Sequence, residues 1–324
     1  MEAEREPKKV MKEIVDRLQD KSPKELLSYA IFNEEEEVKY YSKLAQKAKR
    51  ASIKALFIKM SEESKDHHDW LYNLFKKLYP EEEPVKVDAP PVEVAPFYPE
   101  FESVEDYLSV LEYCMESELF AKKTYEVLAK AAKDDETRVF ALNLAVMEEE
   151  HYEEIRKLYE LMLSLEEQKI VPATLEPGAY LFTDETKAKY FLVDLAGGGV
   201  KLYAVVREKP EKFLELFGDI DVKVLWVTKT EAKNSIRPKE IPILKKTLCD
   251  FIEETIEPEE KRAAFIQNLG YIAFELGFKS MMDVILYLKD CAILNGGYLI
   301  VTALRDAFDR REWALLTSEL QQVS

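Results

Sequence analysis

The sequence predicts a multidomain protein, α plus α/β, in which a four-helix bundle precedes a three-layer α/β domain with a mostly parallel sheet. Three observations predict this. A helical pattern is repeated in the first half of the chain, a proline-rich segment divides that half, and β-rich runs alternate with helical stretches after a linker at 166–177. We therefore expect a helical domain over 1–170 and an α/β domain over 171–324.

Four long helices account for most of the first half, after a short helical periodicity at 8–20. The segment Ser22-Pro23-Lys24-Glu25 is a capping box with proline at the first helical position, which predicts a helix start. Six prolines in 80–100 exclude a regular helix there, and one long crossover between two helical hairpins is known in four-helix bundles. The expected helices cover about 23–49, 52–78, 104–132 and 136–165, with the crossover at 80–100.

The two hairpins repeat each other at an offset of 84 residues. Two of the three histidines in the chain occupy matching positions, each 33 residues after a matched glutamate. Such a duplication predicts a two-helix unit that closes on its copy around an internal site. The matched pairs are Glu34 with Glu118, Tyr41 with Tyr125, and His67 with His151.

The second copy also contains a Glu-x-x-His motif, Glu148 to His151. Residues three apart share one face of a helix, so these two side chains can chelate one ion. The position matching Glu148 in the first copy is Ser64, which offers no carboxylate. Glu63 is adjacent to Ser64 and four residues before His67, and it could reach the site from a neighbouring face.

Residues 22–166 resemble the ferritin-like, rubrerythrin-type di-iron family on these motifs. The resemblance implies two iron ions, with manganese or zinc as other metals, and peroxide reduction or ferroxidase-type oxidation. The sequence lacks the C-x-x-C of a rubredoxin centre, so an oxidoreductase of this type needs an external electron donor. The ligands that the resemblance implies are Glu34 and Glu118 as terminal carboxylates, His67 and His151 as terminal imidazoles, and Glu148 as a bridge.

The serine at position 64 departs from the family pattern. Three carboxylates balance only three of the four positive charges of two divalent ions, and uncompensated charge is costly inside a bundle. We therefore expect the metal position served by Glu34 and His67 to fill weakly unless Glu63 moves in. On this argument Ser64→Glu raises the iron stoichiometry.

Composition limits the classes of function. The net charge is −17, of which −13 lies in 1–170, so a general nucleic-acid partner is excluded because it needs a basic surface. The sequence contains neither an apolar run that could span a membrane nor the apolar core of a signal peptide, which predicts a cytoplasmic protein without membrane partners. The three cysteines, Cys114, Cys249 and Cys291, are far apart, and we expect no disulfide framework.

In the second half the β-rich runs AYLF, VKLYAVV, VKVLWVT, AAFIQ and YLIVTA alternate with helical stretches. This half resembles an archaeal family of unknown function, number 835, on its GAYLF, VVREKP, LWVTK and FIQNLGY segments. The GGGVK segment at 197–201 lacks the spacing of a phosphate loop and precedes a strand, so no nucleotide is expected.

Two classes of function remain open. In the first, the bundle is an iron-dependent oxidoreductase or iron-handling protein. In the second, the bundle is a scaffold whose metal site has partly decayed, and the α/β domain binds a regulatory partner. Fold alone does not choose between them, whereas the metal content of the purified protein does. A homodimer is the expected assembly in both cases.

Overall fold

The computed structural model describes residues 7–18, 20–90, 98–132, 134–254 and 260–323, with side chains from residue 12 onward. The chain forms two compact units, one of residues up to 49 and from 56 to 160, the other of residues 50–55 and from 161 onward. None of the helices in these described ranges is long and apolar enough to cross a membrane.

The first unit is a helical bundle, as the sequence predicts. Four long helices follow a short one, and apolar side chains from all five helices form its core. The helices are α1 (Pro7–Leu18), α2 (Pro23–Lys47), α3 (Ala51–Leu78), α4 (Val104–Ala131) and α5 (Asp135–Glu167).

Local sequence explains where two of these helices begin. The Ser22 hydroxyl accepts a hydrogen bond from the Glu25 backbone, and the Glu25 carboxylate accepts one from the Ser22 backbone, so two N–H groups at the start of α2 are satisfied. Ser103 and Asp106 form the same capping box at the start of α4. Each box contributes about 1 kcal/mol to its helix.

The crossover between the hairpins packs along α2. The Val85 backbone donates to the Ser28 hydroxyl at 3.1 Å, and the Tyr29 hydroxyl donates to the Pro90 carbonyl at 2.7 Å. These contacts satisfy backbone groups of a segment that has no regular hydrogen-bonding pattern of its own. Part of the expected crossover, 91–97, lies outside the described residues.

The second unit is built on a seven-stranded sheet in which all the paired strands are parallel, in the order β4-β3-β2-β5-β6-β1-β7. This confirms the expected α/β domain. The strands are β1 (Gly178–Phe182), β2 (Lys201–Val206), β3 (Val222–Val227), β4 (Ser235–Ile236), β5 (Arg262–Ile266), β6 (Tyr298–Thr302) and β7 (Gln321–Val323).

Helices lie between the strands, and most occur where periodicity predicts them. The short helix that follows β5 was not predicted from the sequence, nor were the two edge strands β4 and β7, which have only two and three residues. The helices are α6 (Glu185–Gly197), α7 (Pro210–Leu214), α8 (Ile241–Glu253), α9 (Leu269–Leu276), α10 (Phe278–Leu294) and α11 (Arg310–Glu319).

The structure corrects one expectation about the cysteines. Cys249 on α8 and Cys291 on α10 form a disulfide, although they are 42 residues apart in sequence. The expectation of no disulfide was wrong because it rested on sequence spacing, whereas the fold packs these two helices against each other. Cys114 is a buried thiol in the bundle, as expected of a core residue.

Candidate metal centre

One layer of polar side chains interrupts the apolar core of the bundle. On α2, α3 and α5 two polar residues occupy inward positions three residues apart, and α4 contributes Glu118 alone. On α3 and α5, apolar residues on the same face lie above and below the polar pair. Because the neighbouring layers are apolar, the polar layer is closed off along the bundle axis. On α3 this face carries Met60, Ser64, His67 and Leu71, and on α5 it carries Leu144, Glu148, His151 and Ile155.

Four glutamates bring carboxylates into this layer: Glu34 and Glu37 from α2, Glu118 from α4 and Glu148 from α5. Each is only 3% exposed. Burial, and then the neighbouring carboxylates, raise the pKa of both Glu34 and Glu148 well above the usual range. Such a set of acids is unfavourable in an apolar core unless protons or cations neutralise it.

The two histidines of the repeat face each other, with ring centroids 5.1 Å apart. Nδ1 of His67 lies 3.7 Å from Glu34 Oε1, and Nδ1 of His151 lies 3.5 Å from Glu118 Oε2. Burial, and then the charge of His151, lower the pKa of His67 to about 4. Burial also disfavours the charged form of His151, but the Glu118 carboxylate outweighs it and raises the pKa of His151 to about 9.

Glu37 is the site residue that the sequence analysis missed. Its carboxylate groups with Glu148 and His151, with one donor atom from each residue lying within 4.8 Å of the others. The Ser64 hydroxyl donates to Glu37 Oε2 at 3.2 Å, so the Glu37 carboxylate occupies space beside the serine. The spacing of three between Glu34 and Glu37 was the available signal, because it places both carboxylates on one helix face.

Glu63 lies at the margin of the layer. Its Oε2 is 4.0 Å from Nε2 of His151, while its side chain is 41% exposed. Lys59 holds this edge through Nζ, which is 3.7 Å from Glu63 and 3.0 Å from Glu154. His68 faces away from the layer and pairs with Asp69 at 3.0 Å, as its position one residue after His67 predicts.

The tyrosines of the repeat are core residues. Tyr41 and Tyr125 are 1% and 3% exposed, and burial raises the pKa of both phenols. The Tyr41 hydroxyl donates to Glu118 Oε1, which links the first hairpin to the second. This contact orients the carboxylate whose other oxygen faces His151.

Several carboxylate oxygens and imidazole nitrogens in this layer make no hydrogen bond with any described residue. A bound metal ion would satisfy these atoms. An unsatisfied buried polar atom costs about 1–3 kcal/mol, and this layer contains five. Carboxylate oxygens with imidazole nitrogens form a donor set suited to iron, manganese and zinc. The atoms are Glu34 Oε2, Glu148 Oε2, His67 Nδ1, and both ring nitrogens of His151.

Each of the two units matches a known family. The bundle has inward-facing Glu and His residues, three of which form a buried cluster that could hold a metal ion. Residues 25–159 match the family described as rubrerythrin, and residues 181–320 match the family described as a protein of unknown function, DUF835. The chain therefore joins a rubrerythrin-family domain to a DUF835 domain.

One solved structure similar to the chain is a hypothetical protein from Pyrococcus furiosus, with 32% sequence identity and a TM-score of 0.39. The match covers 46% of this chain and 95% of that one. No curated protein matches.

Cationic side chains at the carboxyl ends of β2 and β3 are engaged within the α/β unit. Arg207 stacks over the Tyr271 ring at 4.7 Å and donates to the Val227 carbonyl at 3.1 Å. Lys229 pairs with Glu275 at 2.5 Å. These contacts explain the two basic residues through the packing of the domain itself.

Proposed function

We propose that the bundle is a non-haem di-metal protein that binds two iron ions and reacts with peroxide or dioxygen. The observation that carries this proposal is the buried layer of four carboxylates and two imidazoles with unsatisfied donor atoms. A scaffold without a metal has no need for four acids in its core, since apolar side chains of similar size stabilise a bundle better.

Charge balance supports a pair of divalent ions. The four buried carboxylates supply four negative charges, which equals the charge of two such ions. The charge deficit expected from Ser64 loses its basis, because Glu37 supplies the carboxylate that position 64 lacks. On this proposal the ligands are Glu34, Glu37, Glu118, Glu148, His67 and His151, with Glu63 as a further carboxylate that can reach His151 from the surface.

The surrounding residues have distinct tasks. Tyr41 holds the orientation of Glu118, and the apolar layers above and below exclude water. His67 is the ligand nearest to solvent, with a side chain 20% exposed against 3% for His151. A small oxidant therefore approaches beside His67. Bound iron would supply the electron exchange that peroxide or dioxygen requires.

An external electron donor completes the cycle, because the sequence carries no cysteine motif for a rubredoxin centre. The chain is proposed to act in the cytoplasm as a homodimer, and manganese or zinc can occupy the same donors.

The test is iron loading of the full chain without oxygen, followed by elemental analysis and stopped-flow addition of peroxide or air-saturated buffer. We expect about two iron ions per chain and rapid oxidation by one of the two oxidants. His151→Ala should lose iron, whereas the matched variant His68→Ala should keep it. Far less than one iron per chain in the unaltered protein would contradict the proposal and leave the bundle as a scaffold.

A further inference from the structure

The two disulfide cysteines of the α/β unit lie where two helices end. In the chain, α8 precedes β5 and α10 precedes β6, so the last turns of both helices meet the edge of the sheet where these strands begin. Contacts confirm this placement, because Arg262 at the start of β5 donates to the Phe251 carbonyl of α8 at 3.2 Å. The Cα atoms of Cys249 and Cys291 are 5.9 Å apart.

A third potential ligand lies beside the two sulfurs. Glu253 follows Cys249 by one helical turn, and its Oε1 is 3.3 Å from Cys249 Sγ. The two sulfurs and a Glu253 oxygen all lie within 4.8 Å of one another. Both cysteines are 5% exposed, whereas Glu253 is exposed. A buried sulfur pair thus has a carboxylate on its solvent side.

The local electrostatics favour a cation. Cys249 and Cys291 lie near the carboxyl ends of α8 and α10, where the helix dipoles place partial negative charge. At α8 the Arg262 guanidinium offsets part of this charge by donating to the Phe251 carbonyl at 3.2 Å. The Asn295 side chain donates to the Cys291 carbonyl at 2.9 Å, and its amide lies 3.6 Å from the Cys291 sulfur. By hydrogen bonding to the sulfur, this amide can stabilise Cys291 as a thiolate ligand.

We propose that Cys249, Cys291 and Glu253 form a redox-controlled binding site for a thiophilic divalent ion such as zinc. A dithiol reductant transfers two electrons and two protons to the Cys249–Cys291 bond, is itself converted to a disulfide, and leaves two cysteine thiols. The zinc ion then replaces the two thiol protons, which pass to solvent. In the reverse exchange, an oxidised disulfide of the same class accepts the two electrons, takes up two protons from solvent and leaves as a dithiol. The Cys249–Cys291 bond then re-forms and the ion is released.

The distance between the two cysteines suits both the disulfide and the zinc-bound dithiolate. Zinc–thiolate bonds of about 2.3 Å in a tetrahedral site place two sulfurs roughly 3.8 Å apart. Cysteines on two packed helices with Cα atoms 5.9 Å apart reach this separation by rotating their side chains. Two thiolates and one carboxylate leave the fourth position of a tetrahedral ion for water or a partner ligand.

The proposal can be tested with cobalt(II) as a probe on the full chain. The protein is reduced with a phosphine, which is oxidised to the phosphine oxide, desalted without oxygen, and titrated with cobalt(II). Thiolate ligands give cobalt(II) an intense near-ultraviolet charge-transfer band, whereas carboxylate and imidazole ligands in the bundle do not. We expect the band in the reduced chain, its absence from the oxidised chain, and its loss on addition of zinc.

Variants assign the ligands. Cys249→Ser and Cys291→Ser should each abolish the charge-transfer band, and Glu253→Gln should weaken cobalt affinity by about tenfold or more. Cys114→Ser should leave the band unchanged, because this thiol lies in the bundle. The proposal is overturned if the reduced chain shows no band or if Cys291→Ser keeps it. Loss of the far-ultraviolet circular dichroism of the chain on reduction would also overturn it, since the bond would then be a structural staple.

Discussion

The two hairpins of the bundle supply the same kinds of polar side chain to the buried layer, but from different positions. Each contributes two carboxylates and one histidine to the buried layer, but the carboxylates are arranged differently. In the first hairpin both acids are on α2, and in the second they are divided between α4 and α5. When the two copies are aligned at the offset of the repeat, Glu34 aligns with Glu118 and His67 aligns with His151. Glu37 aligns with Ala121, and Ser64 aligns with Glu148.

On the proposed function, the two hairpins supply the same number of carboxylates, but the first carries its second carboxylate on a different helix from the second. The hairpins also differ in burial, because His67 is partly open to solvent and His151 is enclosed. The pKa values follow the same division, with His67 lowered to about 4 and His151 raised to about 9. The second hairpin thus provides the enclosed, charge-paired half of the site and the first provides its open half.

The largest expected effect is on the stability of the metal-free bundle at alkaline pH. The pKa of His151 is raised to about 9 on folding, so its contribution is present below about pH 6.5 and is lost as the pH rises through 9. The loss is on the order of 3 kcal/mol. The raised pKa values of Glu34 and Glu148 act in the same direction.

Hydrogen exchange of α5 amides, corrected for intrinsic rates, measures this effect with and without a chelator. The metal-free protein should lose protection between pH 6.5 and 9, whereas the iron-loaded protein should keep it because metal binding favours the deprotonated ligands. His151→Gln should remove most of the pH dependence. Equal slopes for the loaded and metal-free protein would show that the layer does not bind the metal.

The next effect is a difference in iron affinity between variants of the buried His151 of α5 and of His68 of α3. His151→Ala should weaken iron affinity on the order of 100-fold, because it removes an enclosed ligand. His68→Ala should change the affinity less than about twofold, since its ring pairs with Asp69 outside the layer. Competition with a chromogenic chelator measures both values. Similar losses in the two variants would refute the assignment of the inward face.

The repeat identifies candidate ligands only where its two copies carry the same residue. Glu34, Glu118, His67 and His151 were found because each has an identical partner, and Glu148 because of its Glu-x-x-His spacing. Glu37 was missed because the matching position is Ala121, so comparison of the copies discards it. Its spacing of three from Glu34 places it on the same helix face, and its proximity to Ser64, Glu148 and His151 in the fold brings it into the layer.

The α/β half shows the same limit. Its parallel sheet follows from alternating β-rich and helical runs, because long apolar segments have strong periodicity. The disulfide depends on the packing of α8 against α10, which no sequence spacing encodes. The helix α9 was missed because its eight residues follow Asn268 in a left-handed conformation (φ 59°), and this turn is not visible in the sequence pattern.

The smallest effect is expected at the tyrosine that joins the hairpins. Tyr41→Phe removes the hydrogen bond to Glu118 and should lower the free energy of unfolding of the metal-free bundle by about 1–2 kcal/mol. Tyr125→Phe is the matched change in the second copy, where the tyrosine is as deeply buried as Tyr41. Exchange of α4 amides compares the two variants. An equal loss in both would show that the phenols act by packing alone.

The first hairpin carries its second carboxylate at Glu37 on α2, and not at position 64 on α3. Substitutions that remove the carboxylate from position 37 and introduce one at position 64 test this most directly. Iron stoichiometry is measured for Glu37→Ala, for Ser64→Glu, and for the double variant, with circular dichroism to confirm that each bundle is folded. The account predicts that Glu37→Ala lowers the stoichiometry toward one, that Ser64→Glu alone does not raise it, and that the double variant restores the unaltered value. A double variant that binds no more iron than Glu37→Ala would contradict the account.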